Sequence, residues 1–195
     1  MDPEEFTESQ EPSDRRVPLE FESQDGMILR ELVDWDAPEL LEFINNNRDS
    51  EFVPQLKDIR TEFDALRMIT NPKTVVFGTQ EQRGGPIVAL TILAKEEKQD
   101  GSKDPKYMLS MGGIVDKNFR RRGIRSNDIK TIVNNASAIG ASVFEMPEVR
   151  TIRCYVRTDN RASRKVLEKC GFLKQGERLH VHVFYDLDKP GQETQ

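Results

Sequence analysis

Histidine, cysteine and long apolar runs are all scarce in this sequence, and each scarcity excludes a class of protein. The 195 residues include two histidines and two cysteines, and no Cys/His cluster has metal-ligand spacing. We therefore expect no structural zinc and no other bound metal. Cys154 and Cys170 are too few for a disulfide framework and favour a reduced, cytoplasmic location. No stretch approaches the roughly 18 consecutive apolar residues of a membrane span, and residues 1–10 lack the basic start of a signal peptide.

A net positive charge is also lacking, since the chain has 29 basic and 34 acidic residues. Residues 1–24 contain eight acidic residues and two arginines, so their net charge is −6, and the total of −5 leaves +1 for the rest of the chain. The nearly neutral charge of residues 25–195 argues against general nucleic-acid binding, which needs a basic surface. The acidic segment has no apolar periodicity and is rich in Ser, Gln and Pro, which is typical of disorder. We expect an acidic disordered tail over residues 1–24, one domain over residues 25–188 and a flexible C-terminus over residues 189–195.

Apolar periodicity predicts alternating strands and helices in that domain. Antiparallel strands first and a β-α-β-α-β order afterwards indicate an α/β (α+β) fold, in which a mixed sheet is flanked by helices. Gly112 and Gly113 interrupt one strand pattern, which indicates either a bulge or a close approach of the backbone to another group. The predicted strands are residues 27–33, 74–79, 87–94, 107–115, 152–157 and a pair within 172–187, and the predicted helices are 36–44, 59–69, 122–139 and 162–170.

The segment that carries chemistry is residues 113–126, GIVDKNFRRRGIRS. A strand ends, a short basic loop with one glycine follows, and an amphipathic helix begins. The first backbone N–H groups of a helix lack intrahelical partners and concentrate positive potential, so a phosphate fits there. Arginine side chains add charge-assisted donors, and Gly123 lets the backbone approach a ligand closely. The residues alone leave two interpretations open, an anion site and a solvated basic turn.

Two downstream motifs decide between them. Residues 159–163 read DNRAS and residues 166–172 read VLEKCGF. Together with Arg120-x-x-Gly123-x-Arg125 after a strand, they resemble the GNAT superfamily of N-acetyltransferases, and more narrowly its RimJ/RimL type. The resemblance is dense over residues 108–178 and weaker over residues 27–107. It implies a mostly antiparallel sheet whose strands splay near the acyl-CoA loop.

The resemblance also implies roles for individual residues. The strand before the loop would offer backbone N–H groups to the pantetheine arm and the thioester, and the loop would hold the pyrophosphate. Asn160 would hydrogen-bond the pantetheine arm, and Ser163 would protonate the departing thiolate. The residues assigned in this way to acetyl-CoA, the implied cosubstrate, are Gly113, Ile114, Val115, Arg120, Arg121, Arg122, Gly123, Ile124, Arg125, Ser126, Asn160 and Ser163.

One residue departs from the family pattern. The family loop usually ends in Gly or Ala where this chain has Arg125. A long side chain there could crowd the pyrophosphate or could bind it, because the backbone must approach the ligand closely at this point.

The reaction implied is direct attack of a neutral amine on the thioester, which needs a base, an oxyanion site and an acid for the thiolate. Glu177 lies where RimL-like enzymes place a carboxylate. His180 and His182 are the alternatives, because imidazole titrates near neutral pH. Tyr185 and Ser110 are weaker candidates, and Tyr185 is expected in the core. The rim residues expected to contact the acceptor are Phe52, Arg60 and residues 45–47.

Three functions are compatible with the sequence. The first is an acetyl-CoA-dependent N-acetyltransferase. The second is a non-catalytic GNAT-fold module that binds acyl-CoA or serves interactions, which Arg125 and the unclear base favour. The third, an RNA-associated protein, rests only on the arginines of the basic loop. The acceptor stays open between a protein N-terminus, a polyamine, an amino sugar and an antibiotic, and a homodimer is compatible with the sequence.

Overall fold

The computed structural model describes residues 16–48, 54–95, 108–178 and 182–188. Eight strands form one sheet in the order β1-β2-β3-β4-β5-β6-β8-β7. The strands are β1 Glu20–Glu22, β2 Ile28–Glu31, β3 Thr74–Gln80, β4 Ile87–Lys95, β5 Met108–Val115, β6 Thr151–Arg157, β7 Leu173–Arg178 and β8 His182–Asp188. The helices are α1 Ala37–Asn46, α2 Glu62–Ile69, α3 Ile124–Phe144 and α4 Arg161–Lys169.

The sheet confirms the predicted fold class. Every described strand pair is antiparallel except β5 with β6, which is parallel. The predicted strands at residues 74–79 and 87–94 correspond to β3 and β4 within one residue at their ends. The predicted start of the first helix is also correct, since Asp36 is its N-cap and Pro38 lies in its first turn.

The predicted tail boundary at residue 24 is wrong, because β1 lies inside it. Strand β1, Glu20–Glu22, pairs with β2 in antiparallel orientation. The ring centroid of Phe21 lies 6.1 Å from that of Phe77 in the core. The carboxylate of Glu31 accepts hydrogen bonds from the Arg16 guanidinium and from the backbone N–H of Leu19. These contacts between distant residues hold a polar segment against the sheet edge, and composition does not reveal them. Residues 1–15 and 189–195 lie outside the described residues.

The two faces of the sheet carry separate cores. On one face, α1 and α2 pack against β3 and β4 through a cluster that includes Leu40, Ile44, Ala65 and Leu90. Phe63, an apolar residue within the predicted helix 59–69, does not pack on the sheet, and its side chain is 66% exposed. The helix begins only at Glu62, where Thr61 and Asp64 form a capping box, and this start turns Ala65 instead of Phe63 toward the sheet.

On the other face, α3 and α4 cover strands β3 to β8. This larger cluster includes Ile129, Ile132, Cys154, Leu167 and Tyr185, which are all buried. Tyr185 was expected in the core, and its exposure of 0% confirms this; of the two cysteines, Cys154 is buried at 3% and Cys170 is partly buried. No helix within the described residues is long and apolar enough to span a membrane.

The sheet splits between β5 and β6. The parallel pairing covers only three registers and ends where Ser110 faces Arg153. Beyond that point β5 continues beside β4 as far as Val115, while β6 continues beside β8 as far as Arg157. The two strands therefore diverge with unpaired inner edges, and this splay was the feature that the family resemblance implied.

Candidate active site

A cavity of about 860 Å³ occupies the splay between β5 and β6. Its lining comes from both faces of the sheet. From the α3–α4 face it receives Gly113, Arg125, Cys154, Asn160, Ser163 and Leu167, and from the α2 face it receives Asp58, Asp64, Arg67, Asn71, Tyr155 and Arg157. We call these the donor side and the acceptor side. A group bound on one side can therefore meet a group bound on the other through the gap in the sheet.

The N-terminus of α3 stands at one end of the splay and has the features of an anion site. A tight turn leads into it, with the backbone of Arg121 at φ 67° and that of Gly123 at φ 82°. Gly123 is the N-cap and supplies no side chain, and the first intrahelical bond runs from the N–H of Asn127 to the Gly123 carbonyl at 3.1 Å. The N–H groups of Ile124, Arg125 and Ser126 precede that bond and lack intrahelical acceptors. They point outward with the positive end of a 21-residue helix.

The three arginines of the loop, Arg120 to Arg122, differ in their contacts with the rest of the protein. Arg122 pairs with Glu81 and stacks over the ring of Phe119 at 5.0 Å. The Nε of Arg120 donates a long hydrogen bond, 3.4 Å, to the carbonyl of Val115 and leaves its side chain exposed. Arg122 is therefore held away from the turn, whereas Arg120 and Arg121 carry exposed charge beside it.

Arg125 neither crowds nor covers this helix terminus, because its side chain runs into the sheet. Its Nη1 donates a 2.7 Å hydrogen bond to the Oγ1 of Thr91 on β4. To reach Thr91, the guanidinium passes directly over Gly113, the β5 residue in register with it. A Cβ on Gly113 would lie 2.3 Å from that Nη1 and 2.4 Å from the carbonyl oxygen of Leu90. The β5 register stays regular at this point, so the prediction of a bulge is wrong and the close approach is correct.

Asn160 and Ser163 lie together at the start of α4 and both line the cavity. The Oδ1 of Asn160 accepts the backbone N–H of Ser163 at 3.1 Å and caps the helix. Asn160 is 9% exposed, and the cap uses only its oxygen. Its amide N–H₂ is thus available to a ligand, as the sequence interpretation required.

The sequence matches the family model of the acetyltransferase (GNAT) domain over residues 27–173. The chain belongs to the GNAT family. No curated protein sequence matches the chain. The family match covers β2 to the start of β7, and therefore both sides of the cavity.

Solved GNAT structures share this fold at low sequence identity. The ribosomal-protein-S5-alanine acetyltransferase of Vibrio fischeri has a TM-score of 0.64 at 16% identity and covers 90% of this chain and 100% of its own. RimL, a ribosomal L7/L12 alpha-N-protein acetyltransferase in complex with coenzyme A, has a TM-score of 0.63 at 14% identity and covers 83% of this chain and 93% of its own. The enzyme AAC(6')-Ib in complex with ribostamycin and coenzyme A has a TM-score of 0.65 at 16% identity, with coverage of 84% and 93%.

The candidate bases of this GNAT chain are not all placed at the cavity. Glu177 lies on the edge strand β7, half exposed and paired with Lys174 at 3.2 Å, and it is not among the lining residues. His182 begins β8, and its backbone is in register with Arg157 of the lining. Ser110 lines the cavity and donates to the carbonyl of Ala94 at 3.3 Å. His180 lies outside the described residues.

Two other polar groups of the α3–α4 face are excluded from base chemistry. The Tyr185 hydroxyl is buried, donates to Glu168 Oε1 at 3.1 Å and accepts from Arg164 Nε at 3.2 Å. Burial raises the pKa of the Cys154 thiol to about 12, against the opposing charge of Arg125, so this thiol stays protonated at neutral pH. Within the described residues, no cluster of acidic, histidine or cysteine side chains could hold a metal ion.

The expected rim is only partly correct. Asn47 is buried: its Nδ2 donates to Asp116 at 2.9 Å and its Oδ1 accepts the Lys117 N–H at 3.2 Å. It therefore fixes the end of α1 to the loop that leads to α3, and it does not line the cavity. Arg60 is exposed next to the acceptor side, while Phe52 lies outside the described residues.

The acceptor-side residues of β6 were missed by the sequence analysis. Tyr155 and Arg157 line the cavity, while Cys154 and Val156 pack into the α3–α4 core. The strict alternation along this strand places the two polar side chains on the opposite face. That alternation was visible in the sequence, but the gap beside the strand was not.

Proposed function

We propose that this protein is an acetyl-CoA-dependent N-acetyltransferase that moves an acetyl group to an amine by direct attack on the thioester. The observation that supports this function most strongly is the single cavity lined from both faces of a split sheet. Such a cavity lets an acyl donor approach from the α3–α4 face and an amine from the α2 face. Family membership supports the same reaction class.

The donor side fits a phosphorylated thioester. The unpaired N–H groups at the start of α3 suit a diphosphate, and the volume of about 860 Å³ is within the usual range of roughly 300–1,000 Å³ for small-molecule sites. The inner edge of β5 beside the splay carries backbone N–H groups free of strand pairing, as a pantetheine arm requires. In this assignment Arg120 and the turn Arg121–Ser126 hold the phosphates, and Asn160 donates its amide to the arm.

The proposed chemistry uses few side chains. A neutral amine attacks the thioester carbon, a backbone N–H of the segment 113–115 stabilises the oxyanion, and the C–S bond breaks. Ser163 is the proposed acid for the thiolate because its hydroxyl lies at the cavity wall. His182 is the preferred base, because Glu177 is engaged with Lys174 at the sheet edge.

The acceptor side points to a cationic amine as the incoming substrate. Asp58 and Asp64 bring two carboxylates to this side, together with Arg67 and Arg157. Arg157 is already paired with Asp159, so its charge is partly balanced. The two carboxylates attract an ammonium group to the gap, where it must lose its proton before attack. Both a protein N-terminus and a small diamine meet this description.

The first experiment is isothermal titration of acetyl-CoA into the purified protein, followed by a thiol-release assay with peptides, polyamines and amino sugars. We expect saturable binding of acetyl-CoA and amine-dependent release of coenzyme A. Binding without release by any amine class would contradict the transferase.

A second function, a non-catalytic acyl-CoA-binding or interaction module, is favoured by one observation, the guanidinium of Arg125 in the splay. An Arg125→Gly variant separates the two. Absent binding in the wild type that is restored in Arg125→Gly would show that this side chain closes the donor side.

A further inference from the structure

The guanidinium of Arg125 lies across the splay. It hydrogen-bonds Thr91 on β4, covers Gly113 on β5 and lines the cavity. Its charge also acts on the Cys154 thiol of β6, on the opposite side of the gap. The positive charge is therefore placed between the two diverging strands, among the groups that enclose the inner end of the donor side.

Among the described residues, no carboxylate forms a hydrogen bond or a salt bridge with this guanidinium; its one hydrogen bond goes to Thr91. The acid on its helix, Asp128, attracts it through charge but does not bond to it: the Oδ1 of Asp128 accepts from Thr79 at 3.0 Å and its Oδ2 has no hydrogen-bond partner. By contrast, Arg153 forms a two-point pair with Asp186 at 2.7 and 2.8 Å. A guanidinium has five N–H donors, and Thr91, a neutral hydroxyl, accepts from one of them.

A half-buried guanidinium that has no hydrogen-bonded anion is costly unless a ligand supplies one. The phosphates of coenzyme A do not supply it in this geometry. They belong at the backbone N–H groups that begin α3, whereas the Arg125 side chain leaves that turn and reaches Gly113, two residues before the end of β5. Two strand residues correspond to about 7 Å. The segment assigned to the pantetheine arm and the thioester is residues 113–115. The guanidinium thus lies at the end of this segment that is farther from the phosphates, where the acyl group is expected.

Given the proposed function, on which this inference rests, we infer that Arg125 adapts the donor side to acyl-CoA thioesters whose acyl chain ends in a carboxylate, such as malonyl- or succinyl-CoA. A terminal carboxylate two or three bonds beyond the thioester carbonyl can accept two parallel N–H bonds from the guanidinium. An acetyl methyl group cannot.

The transfer step balances as in acetyl transfer. The amine nitrogen forms a bond to the thioester carbon, the C–S bond breaks, the nitrogen loses its proton to the base, and the thiolate takes a proton. The terminal carboxylate is unchanged and stays with the acyl group. A cationic amine therefore becomes an amide that carries a negative charge.

Titration calorimetry with four ligands tests the inference: coenzyme A, acetyl-CoA, butyryl-CoA and succinyl-CoA. Butyryl-CoA matches the carbon chain of succinyl-CoA without its charge. We expect the wild type to bind succinyl-CoA about tenfold or more tighter than butyryl-CoA. In Arg125→Gln this preference disappears while coenzyme A still binds, and Arg125→Lys retains part of it, since the charge remains without the planar fork.

The outcomes separate the two proposals. If the wild type binds coenzyme A and acetyl-CoA but shows no preference for succinyl-CoA over butyryl-CoA, the inference about Arg125 is wrong and the transferase proposal stands. If none of the four ligands binds, the proposed function fails as well. Circular dichroism melts of both variants show whether they fold, and the wild-type preference is decisive even if they do not.

Discussion

The donor and acceptor sides of the cavity differ in burial and in the way their polar groups are held. On the donor side, Asn160 is 9% exposed and caps α4, and Asp128, whose charge interacts with that of Arg125, is 2% exposed and bonded to Thr79. On the acceptor side, Asp58 and Arg67 are exposed side chains at and near α2. A donor-side substitution that removes one of these internal contacts should therefore lower stability, whereas a substitution of the exposed Asp58 should change only substrate affinity.

This difference explains why the sequence predicted the residues of the donor side better than those of the acceptor side. The donor side depends on a turn with two positive φ angles, a helix terminus and a helix cap, and each needs particular residue types at fixed spacing. The acceptor side is a set of surface side chains brought together by tertiary packing, which leaves no compact motif.

The adjacent glycines of β5 give the sharpest test of donor-side packing. In Gly113→Ala the new Cβ meets the Arg125 guanidinium and the Leu90 carbonyl, so we expect the free energy of unfolding to fall by about 3 kcal/mol. In Gly112→Ala the new Cβ meets nothing within 4 Å, and the free energy of unfolding should stay within about 0.5 kcal/mol. Urea unfolding measures both variants. Equal stability of the two would contradict the placement of Arg125.

Asp128 tests donor-side electrostatics through pH. Burial raises its pKa from 3.8 to about 6, against the charge of Arg125 and the hydrogen bond from Thr79. The folded state thus binds this proton more tightly than the unfolded state, and the stabilisation present below pH 4 is lost as the pH rises through 6. Asp128→Asn removes this dependence.

We therefore expect the stability of Asp128→Asn, relative to wild type, to improve by about 2–3 kcal/mol between pH 4 and pH 7.5. Chemical denaturation at the two pH values measures the change. A constant difference at both values would show that the Asp128 carboxyl titrates normally in the folded protein.

Asn160 separates the structural and binding roles of one donor-side residue. Asn160→Asp keeps an oxygen for the Ser163 N–H but loses the amide donors. We expect stability within about 0.5 kcal/mol of wild type and an acetyl-CoA dissociation constant raised about fivefold. Asn160→Ala is the matched variant and should also lose about 1 kcal/mol of stability, because the helix cap is gone. Unchanged acetyl-CoA affinity in both variants would limit Asn160 to capping.

Asp58 tests the acceptor side, where the smallest effect is expected. Asp58→Asn should raise the KM for a cationic amine about two- to threefold, leave the melting temperature unchanged and leave acetyl-CoA affinity unchanged. Glu62→Gln is the control, since Glu62 is an exposed carboxylate at the start of α2 that does not line the cavity. Equal KM changes in both variants would indicate a general charge effect instead of a local contact.

Local patterns predicted most of the fold. Strands β3, β4 and β6, the N-cap of α1 and the turn before α3 follow from periodicity and from residues with strong backbone preferences. Periodicity also predicted α4, whose cap is the side chain of Asn160, a residue of the DNRAS motif. Strand β1 was missed because its pairing depends on Glu31 and Phe77, which are distant in sequence.

Sequence patterns alone were enough to give the fold family, the turn before α3 and the residues at the start of α4, since each depends on short-range geometry. Tertiary structure decided the direction of the Arg125 side chain. A residue that the loop pattern placed against the phosphates instead reaches Thr91, because Gly113 leaves room for a guanidinium over β5. It also decided that Glu177 lies at the sheet edge and that Tyr155 meets the cavity. These outcomes depend on which strands separate and which side chains fill the gap, and contacts between residues far apart in sequence set both.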